Sequence, residues 1–202
     1  MTRHCWQDGG VSEHLPDFDS VSALIRARRT SMMVDKEREV PFEVVTDLCE
    51  LATRAPNHKQ TRPWRFAYFT GDGRRRFGET MVRDMVDADF GDEGKRAKTA
   101  VKYLRTPGIL VVGCAPHENE MLHAENQYAT AAGIQNLLLG ATAAGLATFW
   151  STPALPSPPR VLGLCSFEAS DRIVGVLYIG WATERTQTPP EHPPPTVSHI
   201  DD

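Results

Sequence analysis

The amino-acid sequence predicts a single α+β domain. Two uninterrupted apolar runs, Gly108 to Cys114 (GILVVGC) and Ile173 to Trp181 (IVGVLYIGW), read as central strands covered on both faces. Between them, Met121 to Ala144 is helical in composition and carries no charge after Glu125. The 202 residues, 41% hydrophobic and 24% charged, are enough for one sizeable core. That balance excludes a disordered tail and a disulfide-dense scaffold.

Residues 1–17 lack periodicity and read as an arm before a domain spanning residues 18–182. Asp19 or Ser20 can cap a first helix through Val21, Leu24 and Ile25 that ends in Arg26, Arg28 and Arg29. Pro41 suits a first helical position, and Val44, Val45, Leu48, Leu51 and Ala52 mark one face of a helix reaching Arg54. Pro56 then breaks the pattern. Trp64 to Thr70 (WRFAYFT) reads as an aromatic strand closed by a turn at Gly71-Asp72-Gly73, followed by charged helices over Arg74 to Asp87 and Glu93 to Leu104. The long helix from Met121 to Ala144 would be some 36 Å long at ~1.5 Å per residue, and Gly145 is placed to end it. Ala147 to Trp150 is a short strand, and Ser157-Pro158-Pro159 opens a helix over Val161, Leu162 and Leu164. Residues 183–202 form a proline-rich tail with Pro189, Pro190, Pro193, Pro194 and Pro195, suited to extended backbone.

Several function classes are excluded or disfavoured. A net charge of −4 argues against a general nucleic-acid binder. Cys5, Cys49, Cys114 and Cys165 are widely spaced, without zinc-site spacing, and read as reduced, packed thiols. The first residues lack the apolar run of a signal peptide, which leads us to expect a cytoplasmic protein. The uncharged run from Asn126 to Pro159 holds too many polar residues for a membrane span and reads as a buried helix. No P-loop and no GxSxG motif occurs; Arg76 stands where GxGxxG needs its third glycine, and Met121 where HExxH needs its second histidine. His117 and His123, six residues apart, lie on different helical faces, and Glu118 with Glu120 read as a solvated helix start.

Three polar clusters remain. Arg28-Arg29-Thr30-Ser31 offers two guanidiniums and two hydroxyls, a set suited to phosphate, although arginine near a helix C-terminus is also simply a favourable surface charge. The loop from Arg54 to Trp64 (RAPNHKQTRPW) is a plausible rim for a planar ligand, with His58 either ligand-facing or an ordinary loop histidine. In Gly145 to Thr152 (GLATFWST) an apolar strand ends in two hydroxyls, with Trp150 readable as core.

In this order, the three clusters resemble the nitroreductase family of flavoproteins, over a span from about Leu24 to Trp181. The similarity is greatest to the small YdjA-like branch, with Arg28-Arg29-Thr30, Ala55-Pro56-Asn57-His58-Lys59 and Arg62-Pro63-Trp64 standing at its motifs. The helix AAGIQNLLLGATAAGL and the strand IVGVLYIG also look like the family's. The resemblance implies a nitroreductase-like fold on a mixed central sheet flanked by helices, a homodimer, and FMN at the subunit interface. Carried over by position, Arg28, Arg29 and Thr30 would hold the FMN phosphate and ribityl chain, and Arg54 and His58 would sit near the flavin. Trp150, Ser151 and Thr152 would line it, while Gly140, Ala141, Thr142, Ala143, Ala144 and Gly145 fall where relatives contact NAD(P)H. Two positions depart from the family pattern: Met32 replaces a basic residue, and Ser151 follows Trp150 in place of arginine.

The activity so implied is hydride transfer from NADPH or NADH through FMN to a small-molecule acceptor, a nitroaromatic or a quinone. No side chain need act as acid or nucleophile, and Arg54 or Lys59 would stabilise charge on the reduced ring. The alternatives are a reductive dehalogenase or flavin-degrading member of the same fold, with residues 83–102 as a lid, or a non-catalytic flavin-binding protein. A small-residue stripe of Ala129, Ala132, Gly133, Gly140 and Ala144 on an uncharged helix suits the centre of a dimer.

Overall fold

The computed structural model describes residues 15–183 and 192–201. Most of the expected N-terminal arm, Cys5, and residues 184–191 of the proline-rich tail lie outside the described residues. Residues 192–201 have no regular secondary structure and are exposed.

The elements follow in the order α1 (Phe18–Ala27), α2 (Phe42–Ala52), a 3-10 turn (His58–Gln60), β1 (Trp64–Thr70), α3 (Gly71–Asp87), α4 (Glu93–Lys102), β2 (Gly108–Cys114), α5 (Glu120–Ala143), β3 (Leu146–Ser151), α6 (Pro159–Leu164) and β4 (Arg172–Trp181). Three local expectations are corrected. The cap of α1 is Asp17, whose carboxylate accepts from Ser20 N at 2.7 Å, so Asp19 and Ser20 already lie in the first turn. Pro41 stands just outside α2 as its N-cap residue. Gly71 does not open a free turn: at φ +45° it lets β1 pass directly into α3.

The sheet order is β1-β2-β4-β3, and every pairing is antiparallel. The α3–α4 hairpin returns the chain to the end where β1 stops, pairing Thr70 with Gly108, so β2 runs back along β1. The expected mixed sheet therefore reduces, among the described residues, to one parallel feature, the isolated bridge between Thr30 and Thr148 at the β3 edge.

Strand alternation divides the core in two. Leu110, Val112, Leu177 and Ile179 face α2 and α5, meeting Leu48, Ile134 and Leu137. Ile109, Val111, Val176 and Tyr178 face the other side, where α3 and α6 supply Phe77, Met81, Met85 and Leu162. All seven residues of β2 are buried, as expected for a strand covered on both faces. Residues 83–102 are docked, not loose: Gly78 of α3 sits against the Ala100 carbonyl of α4, and Asp84 accepts from Val161 N at 3.0 Å at the start of α6.

Two glycines of the small-residue stripe are taken up within the chain, while Ala132 and Ala144 stay exposed. A Cβ on Gly133 would lie 2.6 Å from the Ala52 carbonyl oxygen, and one on Gly140 would lie 2.6 Å from Leu51 Cδ1. Both glycines thus admit α2 of the same chain. What remains uncovered is apolar surface elsewhere: α1 buries no residue and exposes Phe18, Val21 and Ile25, while α5 exposes Met121 and Tyr128. Among the described residues no helix is long and apolar enough to cross a membrane.

Candidate functional site

The end of α1 passes into the edge of the sheet beside β3. Thr30 bridges Thr148, and Ser31 N donates to the Thr148 carbonyl at 2.9 Å. This places Arg29 beside the turn between α5 and β3, where Gly145 adopts φ +81°. A cleft of about 250 Å³ opens there, lined by Arg29, Ser31, Thr142, Ala144, Gly145 and Ala147 among others.

Arg29 governs the cleft. Its Nη1 donates to the carbonyls of Arg26 at 2.5 Å and Arg28 at 2.7 Å, closing the last turn of α1. Its Nε is buried without an acceptor among the described residues. A buried N–H left unpaired costs roughly 1–3 kcal/mol, and an anion in the cleft would meet this one only after the side chain shifts. Arg28 is the C-cap residue of α1 and half-buried, and Thr30 is exposed.

The other predicted residues divide. Thr142, Ala143, Ala144 and Gly145 line the cleft. Ala141 is fully buried in the core, and Gly140 packs on Leu48 and Leu51. Trp150, 38% exposed, lies over Gly175 of the neighbouring strand. Ser151 Oγ donates to the Thr152 carbonyl at 3.3 Å.

Arg54 and His58 lie elsewhere. Arg54, just past the end of α2, is exposed and donates from Nε to Glu50 Oε1 at 2.6 Å in the last turn of that helix. His58 Nδ1 is 2.7 Å from Glu125 Oε2, in the second turn of α5. Glu125 and Ala143 are 18 residues apart on that helix, about 27 Å at ~1.5 Å per residue. The structure thus places the His58 pair near the start of α5 and the Arg29 cleft at its end, with Trp150, Ser151 and Thr152 where β3 finishes.

The loop holding His58 is built tightly. Lys59, Gln60 and Arg62 all take positive φ, an unfavourable backbone for side-chain-bearing residues. Asn57 Oδ1 accepts from Arg62 N at 2.8 Å, Thr61 bonds Asn126, and Asn126 Nδ2 donates to the Ala115 carbonyl at 3.2 Å. Glu125 and Asn126 therefore clamp the loop, and sequence reasoning passed over both. The available signal was positional, since Glu125 is the last charge before the uncharged run.

Other chemistry is absent from this region. His117 and His123 take part in the entry to α5, where Asn119 N donates to His117 Nδ1 at 3.0 Å. Among the described residues no cluster could hold a metal ion. Burial pushes the Cys49 and Cys165 thiols up to about 12, which leaves them protonated and unreactive at neutral pH.

An antiparallel four-stranded sheet with the long helix α5 on one face and a cleft lined by Arg29 at its end is a nitroreductase-like fold. The chain belongs to the Nitroreductase family, whose model matches residues 25–181. It is 28% identical over 181 residues to YdjA of Escherichia coli (strain K12), which carries an NAD(P)H nitroreductase name; the match covers 89% of this chain and 97% of that one. The crystal structure of a nitroreductase-like family protein from Bacillus cereus superposes with a TM-score of 0.72 at 27% identity, covering 91% and 94% of the two chains. A nitroreductase with bound FMN from Bacteroides fragilis shares the fold at a TM-score of 0.70 and 19% identity, covering 90% and 98%. The functional class of the chain is accordingly that of an oxidoreductase.

Proposed function

We propose that this protein is a homodimeric, FMN-dependent oxidoreductase that takes hydride from NADPH or NADH and reduces a small-molecule acceptor, a nitroaromatic or a quinone. The observation that carries the reading is the Arg29 cleft, whose buried Nε lacks an acceptor in the fold. A phosphate oxygen suits that N–H, and Arg28, Thr30 and Ser31 add further charge and hydroxyls within four residues. The residues present fit FMN. When bound, FMN would supply the hydride chemistry, and the chain's task is to bind, orient and exclude water. Arg28, Arg29 and Thr30 hold the phosphate end, while Trp150, Ser151 and Thr152, where β3 ends, line the ring. Thr142, Ala143, Ala144 and Gly145 shape the wall on the nicotinamide donor's side.

Two observations support the dimer. The exposed apolar residues of α1 and α5 need a covering surface, and patches of this kind mark association sites. The split of site residues between the two ends of α5 gives that association a function: a second copy brings the His58 group of one protomer to the Arg29 group of the other.

The test is direct. The purified full chain should be yellow, with about one FMN released per chain, and NADPH or NADH should bleach it without oxygen. A nitroaromatic or quinone should then restore the colour. A colourless protein that cannot be reconstituted, or one holding FAD, overturns the reading; a yellow protein that no nicotinamide donor bleaches is a passive flavin binder.

A further inference from the structure

The contact between His58 and Glu125 joins residues 67 positions apart, at a loop whose backbone holds three side-chain-bearing residues at positive φ. A carboxylate can only accept, so at 2.7 Å the proton of the pair lies on His58 Nδ1. In the neutral imidazole, this leaves Nε2, on the far side of the ring, as a lone-pair acceptor. The histidine side chain is 48% exposed and Glu125 33%, so the pair opens outward and is not a buried structural bridge. Asn126, the next residue of α5, fixes Thr61 of the same loop. Two adjacent side chains therefore hold the loop in position and its imidazole in orientation.

We propose that Glu125 is a positioning residue: it fixes the tautomer of His58 so that Nε2 is presented as an acceptor to a ligand bearing an N–H or O–H group. Resting on the proposed function, that ligand is FMN, whose ring imide and ribityl hydroxyls are such donors. Without the carboxylate, the ring is free to turn and to carry its proton on either nitrogen. The ligand then loses a directed acceptor while the fold keeps its core.

The experiment uses the full chain with nitrogen-15-labelled histidine, before and after adding FMN, with His58→Gln identifying its signals. At a pH where the imidazole is neutral, the wild-type protein without flavin should show His58 Nδ1 protonated and Nε2 unprotonated. In Glu125→Gln, whose side-chain amide can donate to Nδ1, that preference should collapse or reverse while the melting temperature stays close to wild type. FMN affinity in Glu125→Gln should fall about three- to ten-fold, the scale of one net hydrogen bond. In a His58→Ala background the same substitution should change affinity no further.

A wild-type His58 protonated on Nε2, or a tautomer indifferent to Glu125→Gln, overturns the positioning role. So does an affinity loss that persists in His58→Ala, which would mean that Glu125 acts by another route. A protein that takes no flavin at all overturns the proposed function instead, and the tautomer measurement still decides the role of Glu125.

Discussion

Trp150 rests on Gly175 across the β3–β4 pair, in the space a side chain at 175 would fill. Trp150 is in register with Leu177, which makes Gly175 its diagonal neighbour on the same face of β4. A Cβ at 175 would overlap the indole Nε1 and lie 2.7 Å from Cδ1. The glycine lets the indole lie down on the sheet with its outer part exposed. Gly175→Ala should therefore lift Trp150, shift its fluorescence and cost about 1–3 kcal/mol, the usual penalty of overpacking. FMN retention should fall with it; unchanged fluorescence and unchanged retention together would show that the seat is irrelevant.

Arg29 Nη1 closes α1 through the carbonyls of Arg26 and Arg28, and its Nε is buried without an acceptor among the described residues. Arg29→Lys keeps the charge but loses the fork, so FMN binding should weaken less than in Arg29→Ala. Replacing Arg28 and Arg29 together by alanine should remove two charge-assisted contacts, roughly 1.5–3 kcal/mol each. Isothermal titration with FMN checks both, and an unaltered Kd in the double variant removes the phosphate assignment.

The strands at 64–70 and 108–114 were legible to the residue because aromatic and β-branched content decides them locally. Sheet order was not, since whether α3 and α4 return the chain to the same end depends on their docking through Gly78. The stripe of small residues announced a close helix approach without saying to which helix, and Gly133 and Gly140 turned out to serve α2. The candidate site was legible as three segments because each carries dense local chemistry. That they fall into two groups was not legible, because the partner of His58 lies 67 residues away and a lone glutamate has no local signature.

Alkaline pH should destabilise the protein in a defined window. Burial pushes the Cys49 and Cys165 thiols from 9.0 to about 12, and burial, aided by nearby Glu39, takes the Tyr68 hydroxyl from 10.0 to about 12. Burial likewise raises Tyr178 to about 12. Between about pH 9 and 12 the unfolded chain gives up these protons while the folded chain keeps them. Folding stability therefore falls as pH rises through that interval. Thermal melts from pH 8 to 11 should show a steady decline in Tm. A Tm that stays level across that interval would contradict the burial of these groups.

Two substitutions distinguish the proposed dimer surface from the core. Ile25 is exposed on α1 and has no buried neighbour on its own helix, so Ile25→Asp should alter monomer stability by no more than about 0.5 kcal/mol. If α1 covers a second copy, the same change places a charge in that interface and should yield a folded monomer in light scattering. Gly140→Asp acts differently. Its new side chain would meet Leu48 and Leu51 of the same chain, so it should lower the melting temperature or abolish soluble expression. The Ile25→Asp monomer should also lose flavin, because each site would then lack the His58 group of the second protomer. A flavin-retaining monomer would place the whole site in one chain.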